Sequence, residues 1–331
     1  MASDSNETFL ARARAYELFG ELLLSGPTES LLPYLNLIPE LASAVGNADA
    51  SSLDNLSAAH YALFGLEVYP YESILLDPKM NMGDAVTEDV IAFYQEIGYT
   101  PPTSESPDHI GVQLLALASL CRLELQATII GDDLQIITAQ TNQSTFLELH
   151  LLRWLPALSY SVSLQEVDFY PIVIELTLAL ILDHQEALSS VTTLANKQVF
   201  ALPQPPNLLE AQDTRLKDIV NYLVTPAMSG VFLSKNDIAN LGRAHGLPRG
   251  FGSRQQELSN LFHAAIDFDL LPTLLEDIND LVTAWSNYYQ TLGQEHKLIN
   301  SILSEWHQHT LVTSEFLEQI TAASFSVLEK N

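Results

Sequence analysis

The residues best placed to do chemistry stand in two short stretches, Tyr69-Pro70-Tyr71-Glu72-Ser73 and Glu105-Ser106-Pro107-Asp108-His109. Ser106 reads as a helix N-cap and Pro107 as a first helical residue, where a missing N–H costs nothing. Asp108 then falls in the first turn, where the helix dipole favours its charged form. Once desolvated, a carboxylate there could hold a guanidinium through a charge-assisted pair of about 1.5–3 kcal/mol. Glu72 and Glu105 would add acceptors. His109, near the positive helix end, is biased towards the neutral imidazole that donates, accepts or stacks. Two separate carboxylates such as Glu72 and Asp108 could also do acid–base work. The plainer alternative stays open too: Asp108 as helix-end electrostatics, His109 as a structural histidine, and Tyr69, Tyr71 and Phe64 as aromatics packing a loop onto a core.

Familiar catalytic patterns are absent from the sequence. It contains no phosphate-cradling Gly-x-x-x-x-Gly-Lys, no Gly-x-Gly-x-x-Gly, no His-Glu-x-x-His and no Gly-x-Ser-x-Gly. Cys121 is the only cysteine, so no internal disulfide or Cys-x-x-Cys site can form. His307 and His309 flank Gln308, a spacing that puts them on different helix faces and argues against joint metal binding. No metal and no cofactor is expected.

The elements that must position these residues read as helices. Phe9, Ala13, Tyr16, Phe19 and Leu23 form a stripe stopped by Gly26-Pro27. A second stripe joins Leu53, Leu56, His60, Leu63 and Phe64, and a third joins Val86, Val90, Phe93 and Ile97 before Gly98. Ile110, Leu114, Leu117 and Cys121 line the helix expected from Pro107. A polar gap over 138–145 precedes another helix with Phe146, His150 and Trp154, which Pro156 should interrupt. Tyr170 to His184 is apolar nearly all round and predicts a central core helix. Thr128 to Thr138 is rich in β-branched residues and reads as an isolated strand-like run. Three prolines between Leu202 and Asp213 predict a linker, and two long helices are expected over 270–292 and 298–328.

With 331 residues, 47 % of them hydrophobic, the chain can bury one large or two modest cores. Its 41 acidic and 14 basic side chains give a formal charge of −27, a field that repels nucleic acid and anionic membranes. The first eight residues are polar and acidic, without an apolar stretch behind a basic start, so a cytoplasmic protein is expected. Against that background Lys235, Arg243, Arg249 and Arg254 gather in a segment with helix-turn-helix rhythm. There Ser234 and Asp237 resemble a capping box. A helical DNA-binding regulator using residues 229–265 is therefore the alternative to hold in view, although so small a patch must work against the rest of the charge.

Taken in order, Tyr61-Ala-Leu63-Phe64, Tyr69-Pro70-Tyr71-Glu72-Ser73-Ile74, Glu105-Ser106-Pro107-Asp108-His109-Ile110 and Phe146-Leu-x-x-His150-Leu-x-x-Trp154-Leu-Pro156 resemble the TorD/DmsD/NarJ family of redox-enzyme maturation chaperones. The resemblance spans roughly residues 8 to 190. It implies an all-α, TorD-like helical bundle, here with an additional C-terminal helical segment. It also implies a non-enzymatic role: binding the twin-arginine leader and body of a molybdenum-cofactor oxidoreductase subunit, and assisting cofactor insertion before assembly or export. Carried over, Tyr69, Tyr71, Glu72, Asp108 and His109 would line the signal-peptide face, while Leu63, Phe64, Pro70, Ser73, Pro107, His150 and Trp154 would be structural. The corresponding domain reading is a chaperone domain over 1–200, a linker over 201–215 and an accessory helical domain over 216–331. The partner implied is the molybdoenzyme subunit with its signal peptide, bound by a monomer or dimer, with no nucleic acid and no stable membrane insertion.

Overall fold

The computed structural model describes residues 2–46, 50–189, 199–210 and 214–328. Within them the fold is all-α. The only strand-like feature is one antiparallel bridge between Tyr71 and His109. The chain divides into two compact units, Met1–Asp77 with Asn81–Gln198, and Pro78–Met80 with Val199–Asn331.

The first unit contains α1 (Ala2–Ser25), two short helices, α2 (Leu32–Leu35) and α3 (Pro39–Val45), and then α4 (Ala50–His60), which runs on as a π-helical turn over Tyr61–Glu67. After it come α5 (Glu72–Leu76), α6 (Ala85–Glu96), α7 (Ile110–Ile130) and α8 (Asp133–Phe146). A second π-helical turn over Leu147–Leu151 leads into α9 (Leu152–Ser163), and α10 (Phe169–Ser189) completes the unit. α1 carries the apolar stripe Phe9–Leu23, begins before it at Ala2, and ends at Ser25 ahead of Gly26, whose φ of 75° suits a residue without Cβ.

α7 is the centre of this unit. Its first half is buried nearly all round, and its inward residues run from Ile110 through Leu114, Leu117 and Leu120 to Ala127, while its last turns open to solvent. It is the one helix among the described residues long and apolar enough to cross a membrane, yet 67 % of that apolar window is buried inside the protein. α1 lies against it at a glycine crossing: a Cβ on Gly111 would come within 2.7 Å of the Gly20 carbonyl oxygen and 2.5 Å of Leu24 Cγ. α10, the helix expected at the core from Tyr170 to His184, is also deeply buried. Its His184 Nδ1 lies 2.9 Å from the Tyr16 hydroxyl of α1.

Several local expectations are corrected. α7 starts at Ile110, three residues later than Ser106-Pro107 suggests, because Ser106–His109 closes as a turn (His109 N–H to Ser106 C=O, 3.1 Å). The strand-like run at 128–138 is the end of α7, a left-handed Gly131 and the start of α8, capped by Asp132. The polar gap at 138–145 lies inside α8, where Thr138 and Thr141 return their hydroxyls to the carbonyls of Leu134 and Ile137. Pro156 sits within α9 rather than ending it. The wider π turn directly upstream is where the backbone departs from regular α geometry.

The second unit is built from α11 (Leu216–Val224), α12 (Pro226–Ser229), α13 (Lys235–Ala244), α14 (Arg254–Asp267) and two long helices, α15 (Leu271–Glu295) and α16 (Asn300–Leu328), joined through a 3₁₀ turn over Lys297–Ile299. Trp285 and Tyr289 of α15 pack with Trp306 of α16 as a buried aromatic seam. Of the linker expected over 201–215, residues 201–210 carry no helix, and residues 211–213 lie outside the described residues.

Candidate functional site

The two sequence stretches meet. The Pro70 carbonyl accepts from Ile110 N–H (2.9 Å) and the Asp108 carbonyl accepts from Glu72 N–H (3.1 Å), so the first turn of α5 is stapled to the start of α7. Side chains reinforce the staple. Asp108 is fully buried, and its carboxylate accepts from Ser73 N–H (3.1 Å) and from the Ser106 hydroxyl. Tyr94 of α6 donates its hydroxyl to the Pro107 carbonyl at 2.9 Å.

Glu72, 3 % exposed, points into the unit. Its carboxylate accepts from Gln113 Nε2 and lies 3.3 Å from His150 Nδ1, in the π turn between α8 and α9. His150 in turn packs against Phe93 and Phe146 with ring centroids 5.6 and 5.1 Å away. The other π turn carries Leu63 and Phe64, both buried; Phe64 meets the rings of His60 and Tyr170 edge-on. Trp154 is wholly enclosed. Both π turns therefore fall on the stretches that carry the family resemblance, and each orients an aromatic or imidazole ring towards the interior.

His109 occupies the N-cap of α7. Its Nδ1 accepts from Gly111 N–H at 3.0 Å, which places the ring proton on Nε2. Burial pushes its pKa down to about 4. Glu105 and Asp108 nearby oppose that shift and His60 adds to it. The Tyr71 ring stands edge-on to His109 at 5.0 Å, and its hydroxyl donates to Glu105 Oε1 (3.0 Å), which also takes Ser106 N–H (2.8 Å). Burial first, and the Glu105 charge second, raise the Tyr71 pKa.

The structure thus brings Tyr71, Glu72, Asp108 and His109 together, but with different orientations. Asp108, Glu72 and His109 turn inward and are bonded within the chain. Tyr69 and Tyr71 are half-buried, and beside them in sequence Tyr61 and Leu66 are 66 % and 43 % exposed. The expected placement of Asp108 in the first helical turn is corrected: it precedes the N-cap, and its carboxylate accepts from Ser73 N–H and the Ser106 hydroxyl. Sequence reasoning did not foresee that Gln113 and Ser106 hold these carboxylates, or that Tyr94 holds the Pro107 carbonyl. The spacing from His109 to Gln113, one helical turn, was the available sign that Gln113 shares a face with the cap.

In the second unit, α13 carries the expected capping box: Ser234 accepts from Asp237 N–H (3.0 Å) while Asp237 accepts from Ser234 N–H (2.8 Å). The four basic residues are not equally available to a ligand. Arg254 is 8 % exposed, with its guanidinium 4.2 Å from the Phe232 ring centroid and donating to the Leu233 carbonyl at 3.1 Å. Arg243 and Arg249 are exposed and Lys235 half-buried. His307 and His309 address different neighbours, Ser286 and the Met228 carbonyl. Among the described residues no three His, Cys, Asp or Glu side chains gather at metal-binding distances.

Residues 29–159 match the sequence pattern of the nitrate reductase delta subunit family, a family of molybdoenzyme maturation chaperones rather than catalysts. The match covers less than half of the chain. It takes in both π turns, the whole staple and α7, and leaves α10 and the second unit outside. No curated protein and no solved structure matches the chain.

Proposed function

We propose that this chain is a cytoplasmic maturation chaperone for a molybdenum-cofactor oxidoreductase subunit, of TorD/DmsD-like specificity, and that it recognises a cationic–apolar leader such as a twin-arginine signal peptide. The observation that carries the reading is the coincidence of the family match with the stapled Tyr69–Ser73 and Ser106–Ile110 segments. Within it, Asp108, Glu72 and His109 hold the loop in register. Tyr69 and Tyr71 offer the partly open surface, with the Glu105 carboxylate beside Tyr71 as the acceptor nearest solvent. A leader arginine would reach Glu105 and the tyrosine faces, the arrangement that favours guanidinium over ammonium.

Titration of the purified chain with a synthetic leader containing paired arginines and an apolar stretch is the test. Expected are saturable binding, weakening with added salt, and loss of affinity when both arginines become glutamine. No binding to that peptide, together with no molybdoenzyme subunit co-purifying from the native host, would sink the reading. The DNA-binding alternative finds little support in the burial of Arg254.

A further inference from the structure

α7 and α8 form a hairpin whose tip is apolar and bare. Ile129 and Ile130, at the end of α7, are 65 % and 71 % exposed; Leu134 and Ile137, at the start of α8, are 75 % and 57 % exposed. One turn or two further back on α7, Leu123 is 45 % exposed. Scattered apolar side chains are ordinary on protein surfaces, but five large ones within fifteen residues are an interaction-sized concentration. The side-chain bonds between the two helices are made by other residues: Gln143 bridges Cys121 and Glu124, and Gln140 also donates to Glu124, while Ala127 and Ala139 are buried.

The charge around the ridge selects its occupant. Within the hairpin itself, between Arg122 and Arg153, the chain has no lysine or arginine, and Arg122 is engaged with Glu17 of α1 through two hydrogen bonds; of the packed neighbours, α1 brings Arg12 close enough to act on Cys121 of α7. Asp132 and Asp133 sit at the bend between the apolar groups, and the molecule as a whole carries −27. A second copy would set the two bends' carboxylates against each other, and an anionic bilayer would meet the same repulsion. An apolar protein segment flanked by lysine or arginine meets neither obstacle.

We infer that the exposed face of the α7–α8 hairpin tip (Leu123, Ile129, Ile130, Leu134, Ile137) is a docking ridge for an apolar client segment bracketed by basic residues. The inference rests on the chaperone reading and adds a second contact to it. The ridge lies at the opposite end of α7 from the staple, about 30 Å away along a 21-residue helix. An extended client segment of about ten residues spans that length, so one unfolded segment can touch both ends.

The test uses the full chain and two synthetic peptides of equal charge, one with an apolar stretch between arginines and one with that stretch replaced by serine. The unsubstituted chain should bind the first and not the second. The triple variant Ile130→Gln, Leu134→Gln, Ile137→Gln, which keeps good helix formers on an exposed face, should lose about tenfold or more in affinity with its melting temperature unchanged. Should the triple variant fold poorly, Asp133→Lys takes its place: a cation at the bend repels the peptide's basic flank and should also lower the affinity. Equal affinity in variant and unsubstituted chain overturns the ridge and leaves the chaperone reading standing. Failure of the unsubstituted chain to bind the apolar peptide overturns both. A dimer that the triple variant disperses, or binding to phosphatidylglycerol vesicles that it abolishes, assigns the ridge to another occupant and also overturns the inference.

Discussion

At the scale of single residues, the site is an exercise in where a carboxylate's partners come from. Asp108 is wholly buried with Ser73 N–H and the Ser106 hydroxyl as its donors. Asp108→Ala would leave the buried Ser73 amide without its acceptor, a loss of about 1–3 kcal/mol. The melting temperature should fall by about 2–4 °C for each kcal/mol, and Asp108→Asn should fall less because an amide oxygen can still accept. An unchanged melting curve for the alanine variant would mean that the staple is dispensable. His109 makes a pH prediction. Its pKa is about 4 in the fold, against about 6.5 when unfolded, so between those values the unfolded chain binds more protons. Its contribution is complete above pH 6.5 and is lost as the pH falls towards 4, on the order of 3 kcal/mol in all. Asparagine caps helices well, so His109→Asn should retain stability at pH 7 and lose less of it at pH 5 than the unsubstituted chain, as read from urea midpoints. The residue types of this site were plain in the sequence, but their orientation was not. Ser-Pro-Asp-His fits a helix start at Pro107 as well as it fits a turn that delivers His109 to the cap, and histidine is not a residue one expects there. Partners in the distant Tyr69–Ser73 stretch decide between them: the Ser73 amide, 35 residues from Asp108, and the Pro70 carbonyl that takes Ile110 N–H.

At the scale of elements, close approach replaces hydrogen bonding as the deciding term. α1 and α7 cross where Gly20 and Gly111 face each other, and a methyl group at 111 would press on the Gly20 carbonyl and on Leu24. Gly111→Ala gains about 1 kcal/mol of helix propensity, but overpacking of a fixed helix pair costs about 1–3 kcal/mol. The expected net result is a lower urea midpoint, and a still lower one for Gly111→Val. A midpoint that rises would show that α1 can shift away without loss. The apolar stripes of α1, α4 and α6 were legible because burial imposes a 3.6-residue period that survives in the sequence. The π turns were not, since one extra residue per turn leaves Leu63, Phe64 and His150 in apolar surroundings either way. The α7–α8 hairpin was misread for a physical reason as well. Its β-branched residues at 128–130 and 136–138 reflect a helix tip with exposed isoleucines, and strand propensity cannot separate that from a strand. The feature that blurred the secondary structure is the one that carries the docking ridge.

At the scale of the whole molecule, charge is the property the sequence displays most openly, and its consequence is kinetic. A −27 protein attracts a cationic segment over a distance set by screening, about 10 Å at 0.1 M salt and about 3 Å at 1 M. If the leader is held by an acidic tyrosine edge and an apolar ridge, the two contributions separate under salt. Raising ionic strength should slow association by about tenfold or more, since steering depends on the long-range field. Dissociation should change little, because the apolar contacts that must break are not screened. Stopped-flow measurements with the paired-arginine peptide check this directly. A dissociation rate that rises with salt as steeply as association falls would place the binding energy in ion pairs alone, and the ridge would have no share in it. The same field bears on the second unit. Its exposed Arg243 and Arg249 must act inside a strongly negative potential, and Arg254 is already spent on Phe232 and the Leu233 carbonyl. The chain should therefore pass unretained through immobilised generic DNA even at low salt, where phosphate attraction is strongest. Retention that disappears in Arg243→Gln, Arg249→Gln would instead show that local charge in this unit outweighs the charge of the molecule.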